Sequence, residues 1–418
     1  MINSPIKVEE FQSRRASVLR SLKGAVGLVQ SGNGAPPLRG IWEADSFFYY
    51  LTGIRSESGA SILFDGTNPN PKRRVILFLK PIDPEFERWD GYREMIGEDM
   101  REGLGFETVM RTTSLPTLLT QALTRTKRAA CLHPFAVYDA PPTSDLTIFR
   151  KVAERVPGLA IEDRTDVLPA MRAVKSRAEQ TLVRKAVHAT QVGYEAAMRT
   201  IAPGANERDV QRALEEGFVA GGASRPAYNS IVGSGLNATV LHYHDNDATL
   251  SDGELLLIDA GAEFGGYCAD VTRVIPVSGR FTKEQRAMYD IVLRALDAGI
   301  RAVRPGASFV DVDRASRDVI EHAGLGDAFI HGIGHHIGID VHDPQTNGKL
   351  EPGMILTVEP GIYLKDQRIG IRIEDDVLVT SNGRVNLTRE IARTADEVEA
   401  AMKSARRALS SRSRSARA

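Results

Sequence analysis

Two stretches of the C-terminal half carry the same pattern, a glycine followed by an apolar run that ends in a carboxylate. They are Gly253-Glu-Leu-Leu-Leu-Ile-Asp259 and Gly353-Met-Ile-Leu-Thr-Val-Glu359. The upstream segments 203–210 (Pro-Gly-Ala-Asn-Glu-Arg-Asp-Val) and 305–312 (Pro-Gly-Ala-Ser-Phe-Val-Asp-Val) also match, again about one hundred residues apart. A constant offset of this kind indicates an internal duplication. We therefore predict two halves related by a pseudo-twofold axis, each with helices followed by a carboxylate-bearing hairpin.

The first hairpin spans residues 254–277, where a glycine-containing turn separates two β-rich runs. With the turn centred between Phe264 and Gly265, Asp259 lies directly opposite Asp270. Opposed side chains share one face of a hairpin, with Cβ atoms roughly 5 Å apart. Because two carboxylates at that distance repel each other in apolar surroundings, the pattern predicts a cation between them.

The second half repeats the arrangement with different residues. Glu359 ends one apolar strand, and residues 370–379 form the next strand of the predicted hairpin. Side chains alternate along a strand, so Arg372 and Glu374 point to the same face. Two halves facing each other would bring four acids together.

Composition narrows the function further. Lysine and arginine total 53 and aspartate and glutamate total 54, so no general attraction to nucleic acid or to anionic membranes is expected. Two cysteines, Cys131 and Cys268, give no disulfide framework and suit a reducing compartment. No apolar stretch reaches the roughly 20 residues that a membrane span needs, and the N-terminus lacks the apolar core of a signal peptide. We expect a cytoplasmic protein.

The chain divides into three parts by its patterns. Residues 1–170 alternate strands, at 25–30, 61–64 and 74–79, with amphipathic helices, which is typical of an α/β domain. Residues 171–403 form the α+β part with the duplication. Residues 404–418 are Arg, Ser and Ala-rich without apolar periodicity, so we predict a disordered tail.

Several motifs together resemble one known family, the metal-dependent pita-bread peptidases, and within it the Xaa-Pro aminopeptidases (aminopeptidase P). The motifs of the C-terminal half are residues 241–243 (Leu-His-Tyr), 257–262 (Leu-Ile-Asp-Ala-Gly-Ala), 270–273 (Asp-Val-Thr-Arg), 334–335 with 340–343 (Gly-His and Asp-Val-His-Asp), 358–363 (Val-Glu-Pro-Gly-Ile-Tyr) and 370–375 (Gly-Ile-Arg-Ile-Glu-Asp). Residues 45–53 and 89–93 resemble the N-terminal domain of that family. The resemblance implies a creatinase/aminopeptidase P-like N-terminal domain and a pita-bread catalytic domain.

The resemblance also implies roles for individual residues. The expected metal ligands are Asp259, Asp270, His335, Glu359 and Glu374, which would hold two divalent ions per subunit. Oxygen donors with one imidazole suit Mn²⁺, with Co²⁺ or Zn²⁺ as alternatives. Glu359 would accept a proton from the attacking water, and His342 would stabilise the tetrahedral intermediate. His242 and His331 would hold the substrate, Arg372 would brace a metal carboxylate, and Tyr363 would donate its hydroxyl to an acid or to the intermediate.

The implied reaction is release of the N-terminal residue from peptides with proline in second position. An Xaa-Pro dipeptidase (prolidase) shares the fold and the metals and remains the alternative, because the motifs do not decide whether the cleft is blocked beyond the second residue. His336, immediately after the metal histidine, departs from the tryptophan found in some aminopeptidases P. A non-catalytic pita-bread binding module is a remote alternative. The expected partners are a peptide substrate and further copies of the chain, as a dimer or tetramer.

Overall fold

The computed structural model describes residues 4–32, 42–134, 139–346 and 348–415. The chain divides into two compact units, Met1–Arg172 and Ala173–Ala418, two residues after the boundary placed at 170 by the sequence patterns. Among the helices in the described ranges, none is long and apolar enough to cross a membrane.

The N-terminal unit is built on a six-stranded mixed sheet with the strand order β4-β3-β2-β1-β5-β6. The strands are β1 (Val26–Gln30), β2 (Ser61–Asp65), β3 (Val75–Leu79), β4 (Thr108–Arg111), β5 (Arg128–Cys131) and β6 (Ala160–Asp163). The helices are α1 (Val8–Ser21), α2 (Ser46–Thr52), α3 (Pro84–Asp90), α4 (Glu98–Leu104), α5 (Leu115–Thr126), α6 (Ser144–Ala153) and α7 (Val167–Ala173). Apolar side chains of β1, β2 and β3 pack with α5 and α6 in one buried cluster. The α/β class and the first three predicted strands are confirmed.

The C-terminal unit surrounds small antiparallel sheets with long helices. Its helices are α8 (Arg177–Thr200), α9 (Glu207–Ala220), α10 (Lys283–Ala302), α11 (Phe309–His322) and α12 (Ala395–Ser415). Its strands are β7 (Arg225–Pro226), β8 (Ile231–Ser234), β9 (Leu255–Asp259), β10 (Ala262–Phe264), β11 (Tyr267–Cys268), β12 (Thr272–Pro276), β13 (Ile355–Val358), β14 (Gly361–Leu364), β15 (Ile369–Arg372), β16 (Asp375–Thr380) and β17 (Gly383–Asn386). The predicted two-domain architecture with an α+β C-terminal unit is confirmed.

The duplication is visible in matching backbone details. Helices α8 and α9 pack together, as do α10 and α11, and three-stranded sheets, β12-β9-β8 and β13-β16-β17, follow in the two halves. Gly204 and Gly306 open equivalent loops with φ of +87° and +81°, a conformation that suits glycine. Their amides donate to Leu250 O and Leu350 O, both at 2.9 Å. In each half, therefore, the loop between the two helices is hydrogen-bonded to the segment that precedes the next strand, β9 or β13.

The register of the first hairpin differs from the prediction. Asp259 pairs with Thr272, and Phe264 pairs with Tyr267, so the turn is centred between Gly265 and Gly266. Both glycines have positive φ, as a two-residue hairpin turn of the type I′ class requires. The prediction that Asp259 directly opposes Asp270 is wrong, because the residue across from Asp259 lies two positions further along, at Thr272. Because the shift is a whole side-chain period, both carboxylates still lie on one face, as diagonal neighbours.

The second hairpin keeps the predicted proximity of its acids. Val358 pairs with Asp375, so the next position in the register places Glu359 across from Glu374. The single strand predicted for residues 370–379 is divided into β15, which pairs with β14, and β16, which pairs with β13. Arg372 and Glu374 therefore lie on either side of a strand break.

The prediction of a disordered tail from residue 404 is wrong for the residues described there, because α12 continues to Ser415. Val398, Met402 and Ala405 are buried at the helical spacing i, i+4, i+7, so the apolar stripe crosses the predicted boundary. The Arg406 guanidinium donates to Ser278 O at 2.6 Å and to Val277 O at 3.0 Å. Residues 416–418 lie outside the described residues.

Substituting Gly261 tests how closely the first hairpin is packed. A Cβ there would lie 1.7 Å from Ala269 O, so Gly261→Ala forces the two strands apart. We expect a loss of about 1–3 kcal/mol in the free energy of unfolding, measured by chemical denaturation. Gly383→Ala is the control, since its Cβ would meet nothing within 4 Å. Equal stability of the two variants would contradict this packing.

Candidate metal centre

Four carboxylates converge where the hairpins of the two halves meet. Asp259 ends β9, Asp270 precedes β12, Glu359 follows β13, and Glu374 precedes β16. Asp270 and Glu374 are 5% and 1% exposed, so neither keeps much contact with water. The strands beside these acids are themselves buried, so the acids at their ends are also shielded from water.

Shared hydrogen-bond partners show how close these acids are. The Tyr228 hydroxyl contacts Oδ1 of Asp259 at 2.6 Å and also Oδ1 of Asp270. The Thr272 hydroxyl, which lies across from Asp259, donates to Glu374 Oε2 at 2.6 Å. The Tyr228 hydroxyl therefore bridges the two acids of the first half, and Thr272 of that half reaches one acid of the second half.

His335 completes the cluster. Its Nε2 lies 3.5 Å from Asp270 Oδ2 and 3.5 Å from Glu359 Oε1. Its Nδ1 lies 3.0 Å from His336 O, a contact that requires the proton on Nδ1 when the ring is neutral. Nε2 then presents its lone pair to the carboxylates, the arrangement found in metal-binding histidines.

Burial perturbs the acids more strongly than the nearby positive charge of Arg372 compensates. Desolvation raises the pKa of Asp259 and of Glu374, and repulsion from neighbouring carboxylates raises them further. Desolvation also raises the pKa of Glu359 to about 7. Burial lowers the pKa of His335, but its hydrogen bond to Asp270 and the nearby negative charges outweigh that effect and raise it to about 9. The cluster thus binds protons tightly when no other cation is bound.

The donor set fits a divalent metal. Single ligand atoms of Asp270, His335 and Glu374 all lie within 4.8 Å of one another. Carboxylate oxygens and one imidazole suit hard or borderline cations. Such a cation would also offset the repulsion that raises the carboxylate pKa values. Asp259 and Glu359 adjoin this trio through Tyr228 and His335, so the structure brings all five predicted ligands together.

Arg372 braces this cluster from one side. Its guanidinium donates to Asp259 Oδ2, to Thr272 Oγ1 at 3.0 Å and to the Tyr363 oxygen at 2.8 Å. The Tyr363 hydroxyl lies 2.9 Å from His331 Nε2, and His331 Nδ1 lies 2.8 Å from Gly332 O. Burial lowers the pKa of His331 to about 4, so this histidine is neutral.

A cleft of about 630 Å³ opens onto the acids. It is lined by His242 and His342 as well as by the cluster itself. The His342 ring stacks on His335 with a centroid distance of 4.0 Å, while His242 stacks with His244. All the predicted site residues except Tyr363 therefore line one cavity, although His331 has both ring nitrogens engaged within the protein.

The sequence patterns do not predict the hydrogen bonds that Tyr228, Thr272 and Thr357 make to the acids. Tyr228 lies in a segment without strand periodicity, and nothing in its neighbours indicates that it reaches two acids. Thr272 belongs to the 270–273 motif, but its contact with Glu374 spans 102 residues. Thr357, in β13, lies two residues before Glu359, and its hydroxyl donates to Glu359 Oε1 at 3.2 Å. Only the last contact had a local signal, the period of two along the strand.

Comparison with known proteins assigns this site to a family. Residues 181–381 match the family model of metallopeptidase family M24, and residues 11–131 match the aminopeptidase P N-terminal domain. The chain is 34% identical to the Xaa-Pro aminopeptidase of Escherichia coli (strain K12), over 97% of this chain and all of that protein. The chain belongs to metallopeptidase family M24. The chain is therefore a metal-dependent hydrolase, and Asp270, His335 and Glu374 form a cluster that could hold a metal ion.

Further relatives extend the likeness across both units. The Xaa-Pro aminopeptidase of Haemophilus influenzae (strain Rd) is 32% identical, over 94% of this chain and 96% of that protein. The solved structure of aminopeptidase P from E. coli with the inhibitor Pro-Leu matches with a TM-score of 0.84 at 32% identity, covering 97% of this chain and all of that chain. This M24 chain thus has the two-domain aminopeptidase P fold.

The raised pKa of Glu359 predicts how metal-free protein responds to pH. A carboxyl that holds its proton up to about pH 7 when folded, but only to about 4.5 when unfolded, destabilises the fold as pH rises through that window. We expect metal-free Glu359→Gln to gain up to about 3 kcal/mol in the free energy of unfolding over wild type between pH 4.5 and 7.5.

Denaturant titrations across that pH range measure the difference. Glu321→Gln, at an exposed position of α11, controls for loss of one carboxylate. A gap between wild type and Glu359→Gln that stays constant with pH would contradict the assignment of a proton-binding Glu359. Divalent metal should reduce the pH dependence of wild type, because it replaces the bound protons.

Proposed function

We propose that this chain is an Xaa-Pro aminopeptidase, which removes the N-terminal residue of a peptide when proline is second. The observation that carries the proposal is the buried cluster of Asp270, His335 and Glu374 at the base of a cleft, in a chain aligned over its length with Xaa-Pro aminopeptidases. In the cytoplasm, its expected compartment, short peptides would be the substrates.

The cluster is proposed to hold two divalent ions, Mn²⁺ in the native enzyme, with Asp259, Asp270, His335, Glu359 and Glu374 as ligands. A zinc-substituted form of the E. coli enzyme has been crystallised with product, which keeps Zn²⁺ as a tested alternative. When bound, the ions supply an activated water and polarise the carbonyl of the peptide bond. The remaining steps are assigned to the residues of this chain.

Glu359 is proposed to accept the proton of the attacking water. It lines the cleft, and its Oε1 lies 3.5 Å from His335 Nε2 in the cluster proposed to hold the ions. The Thr357 hydroxyl fixes one of its oxygens at 3.2 Å. The same carboxyl then returns the proton to the leaving imino nitrogen of proline.

The histidines of the cleft are proposed to contact the substrate. His342, stacked on His335, would donate to the oxygen that becomes negative in the tetrahedral intermediate. Burial lowers the pKa of His342, so the ring is neutral and can donate from one nitrogen. His242 would hold the residue after the cut, and His331, neutral and fixed by Tyr363, would shape the wall of that subsite.

Arg372 and Tyr363 are proposed to keep Asp259 in place. Arg372→Lys retains the charge, but a single ammonium group cannot reach Asp259, Thr272 and Tyr363 together. We expect kcat/KM to fall about 10–100-fold, with weaker metal binding measured by titration. Arg212→Lys, in an exposed ion pair with Asp209, is the matched control. Unchanged metal affinity in Arg372→Lys would contradict the bracing role.

The proline preference is proposed from the similarity to Xaa-Pro aminopeptidases. An Xaa-Pro bond has no N–H, so its recognition relies on the ring and on the flanking groups. The E. coli aminopeptidase P binds Pro-Leu as an inhibitor, in which proline carries the free amine. A prolidase would share these residues and differ only in whether longer peptides fit.

Hydrolysis of two peptides separates the two enzymes. Mn²⁺-loaded protein is incubated with Ala-Pro-Ala and with Ala-Pro, and products are separated by chromatography. We expect release of alanine from Ala-Pro-Ala, which is lost with a chelator. Cleavage of Ala-Pro alone would assign a prolidase.

Asp270→Ala serves as the inactive control, with metal content measured on the same sample. Retained cleavage in this variant would exclude the metal centre as the site of reaction. An inactive wild type that binds no metal would favour the binding-module alternative. Sedimentation of the active enzyme then tests the predicted dimer or tetramer.

A further inference from the structure

A fully buried carboxylate, Glu207, organises the loop that borders the cleft between β8 and β9. Its Oε1 accepts from Ser234 N at 2.7 Å, Ser234 Oγ at 2.8 Å and Asn237 Nδ2 at 3.3 Å. Its Oε2 accepts from the Tyr243 hydroxyl at 2.9 Å and from Ala248 N at 3.0 Å. A buried carboxylate needs such donors, and here they all come from residues 234–248.

The loop is also fixed beyond these contacts. Asn246 accepts from Val232 N at 2.9 Å and donates to Ser230 O at 2.7 Å. Arg208 donates to Asp245 O at 2.6 Å, and Asn206 donates to Asp247 O at 2.7 Å. The segment therefore forms a rigid wall with both of its ends held by α9 and β8.

Tyr243 decides which way its neighbours point. Because its hydroxyl is held inside by Glu207, the flanking His242 and His244 are directed outwards, and both line the cleft. Their rings lie 6.4 Å apart and 16° from parallel. That separation corresponds to about two residues of an extended peptide, at roughly 3.3–3.6 Å each.

His244 has no role in the mechanism described above. Like His242, it lines the cleft, so a peptide that contacts the His242 ring can also reach the His244 ring, 6.4 Å away. We propose that His244 is a second substrate-binding residue, which contacts the peptide beyond the proline and is held beside His242 by the Glu207–Tyr243 anchor. This inference rests on the proposed function, since it assigns a part of the same substrate.

The contact expected is a hydrogen bond from the His244 imidazole to a main-chain carbonyl that follows the proline. A short substrate does not reach it and a longer one does. The effect of removing the ring must therefore grow with peptide length, whereas a purely structural histidine would affect all substrates alike.

The test compares Ala-Pro-Ala with Ala-Pro-Ala-Ala-Ala in wild type and His244→Ala. We expect KM for the longer peptide to rise about threefold to tenfold, the loss expected for one hydrogen bond, with kcat little changed. KM for the tripeptide should change much less. His322→Ala, an exposed histidine on α11, is the matched control. Identical KM values for His244→Ala and His322→Ala would overturn the proposal.

Tyr243→Phe tests the anchor without touching either histidine. It removes the hydroxyl from Glu207, so KM should rise for both peptides, and adding His244→Ala should then cost less than it does in wild type. If the KM increases caused by Tyr243→Phe and His244→Ala simply multiplied in the double variant, that result would contradict positioning of His244 by the anchor. Thermal unfolding of each variant excludes a general loss of fold.

A binding measurement separates this inference from the proposed function. The same peptides are titrated calorimetrically into Mn²⁺-loaded Glu359→Gln, with and without His244→Ala. A length-dependent loss of affinity supports the role of His244 even if wild type cleaves neither peptide, an outcome that would reject only the aminopeptidase assignment. Binding that is independent of His244 overturns the inference even if wild type is active.

Discussion

Repulsion between buried carboxylates is the constraint on which the catalytic unit depends. Desolvation and mutual repulsion raise the pKa values of Asp259 and Glu374, so the cluster is stable only with protons or metal cations in it. The hydroxyls of Tyr228 and Thr272 hold the oxygens without adding charge. Arg372 offsets part of the charge from one side and leaves the rest to the bound metal.

The duplication explains how four acids reach one place, and its departures from symmetry explain the division of labour. Glu207 and Phe309 occupy equivalent first positions of α9 and α11. Glu207 anchors the loop with His242 and His244, whereas Phe309 packs edge-on against His336, 5.1 Å from its ring centre. One half thus fixes the loop that carries His242 and His244, and the other packs against the residue next to His335.

The sequence predicted what depends on local periodicity. The alternation of side chains along the hairpin predicted both aspartates on one face. The Gly265–Gly266 turn shifts the register by two residues, which leaves that face unchanged. The prediction of a disordered tail failed because three spaced apolar residues, Val398, Met402 and Ala405, hold this part of α12 against the protein, among many arginines and serines. Contacts such as Tyr228 with Asp270 bridge 42 residues, and no spacing rule contains them.

Hydrogen-bond direction limits which group can move a proton in the cleft. Arg372 can only donate, so it donates to the Tyr363 oxygen, and the tyrosine hydroxyl then donates to His331 Nε2. His331 must carry its proton on Nδ1, where it donates to Gly332 O. The Tyr363 hydroxyl proton and the His331 Nδ1 proton are both donated in hydrogen bonds, and burial raises the pKa of Tyr363 to about 12. This network therefore holds its side chains in position but transfers no proton. Glu359, the proposed proton acceptor, makes none of these hydrogen bonds and accepts instead from the Thr357 hydroxyl.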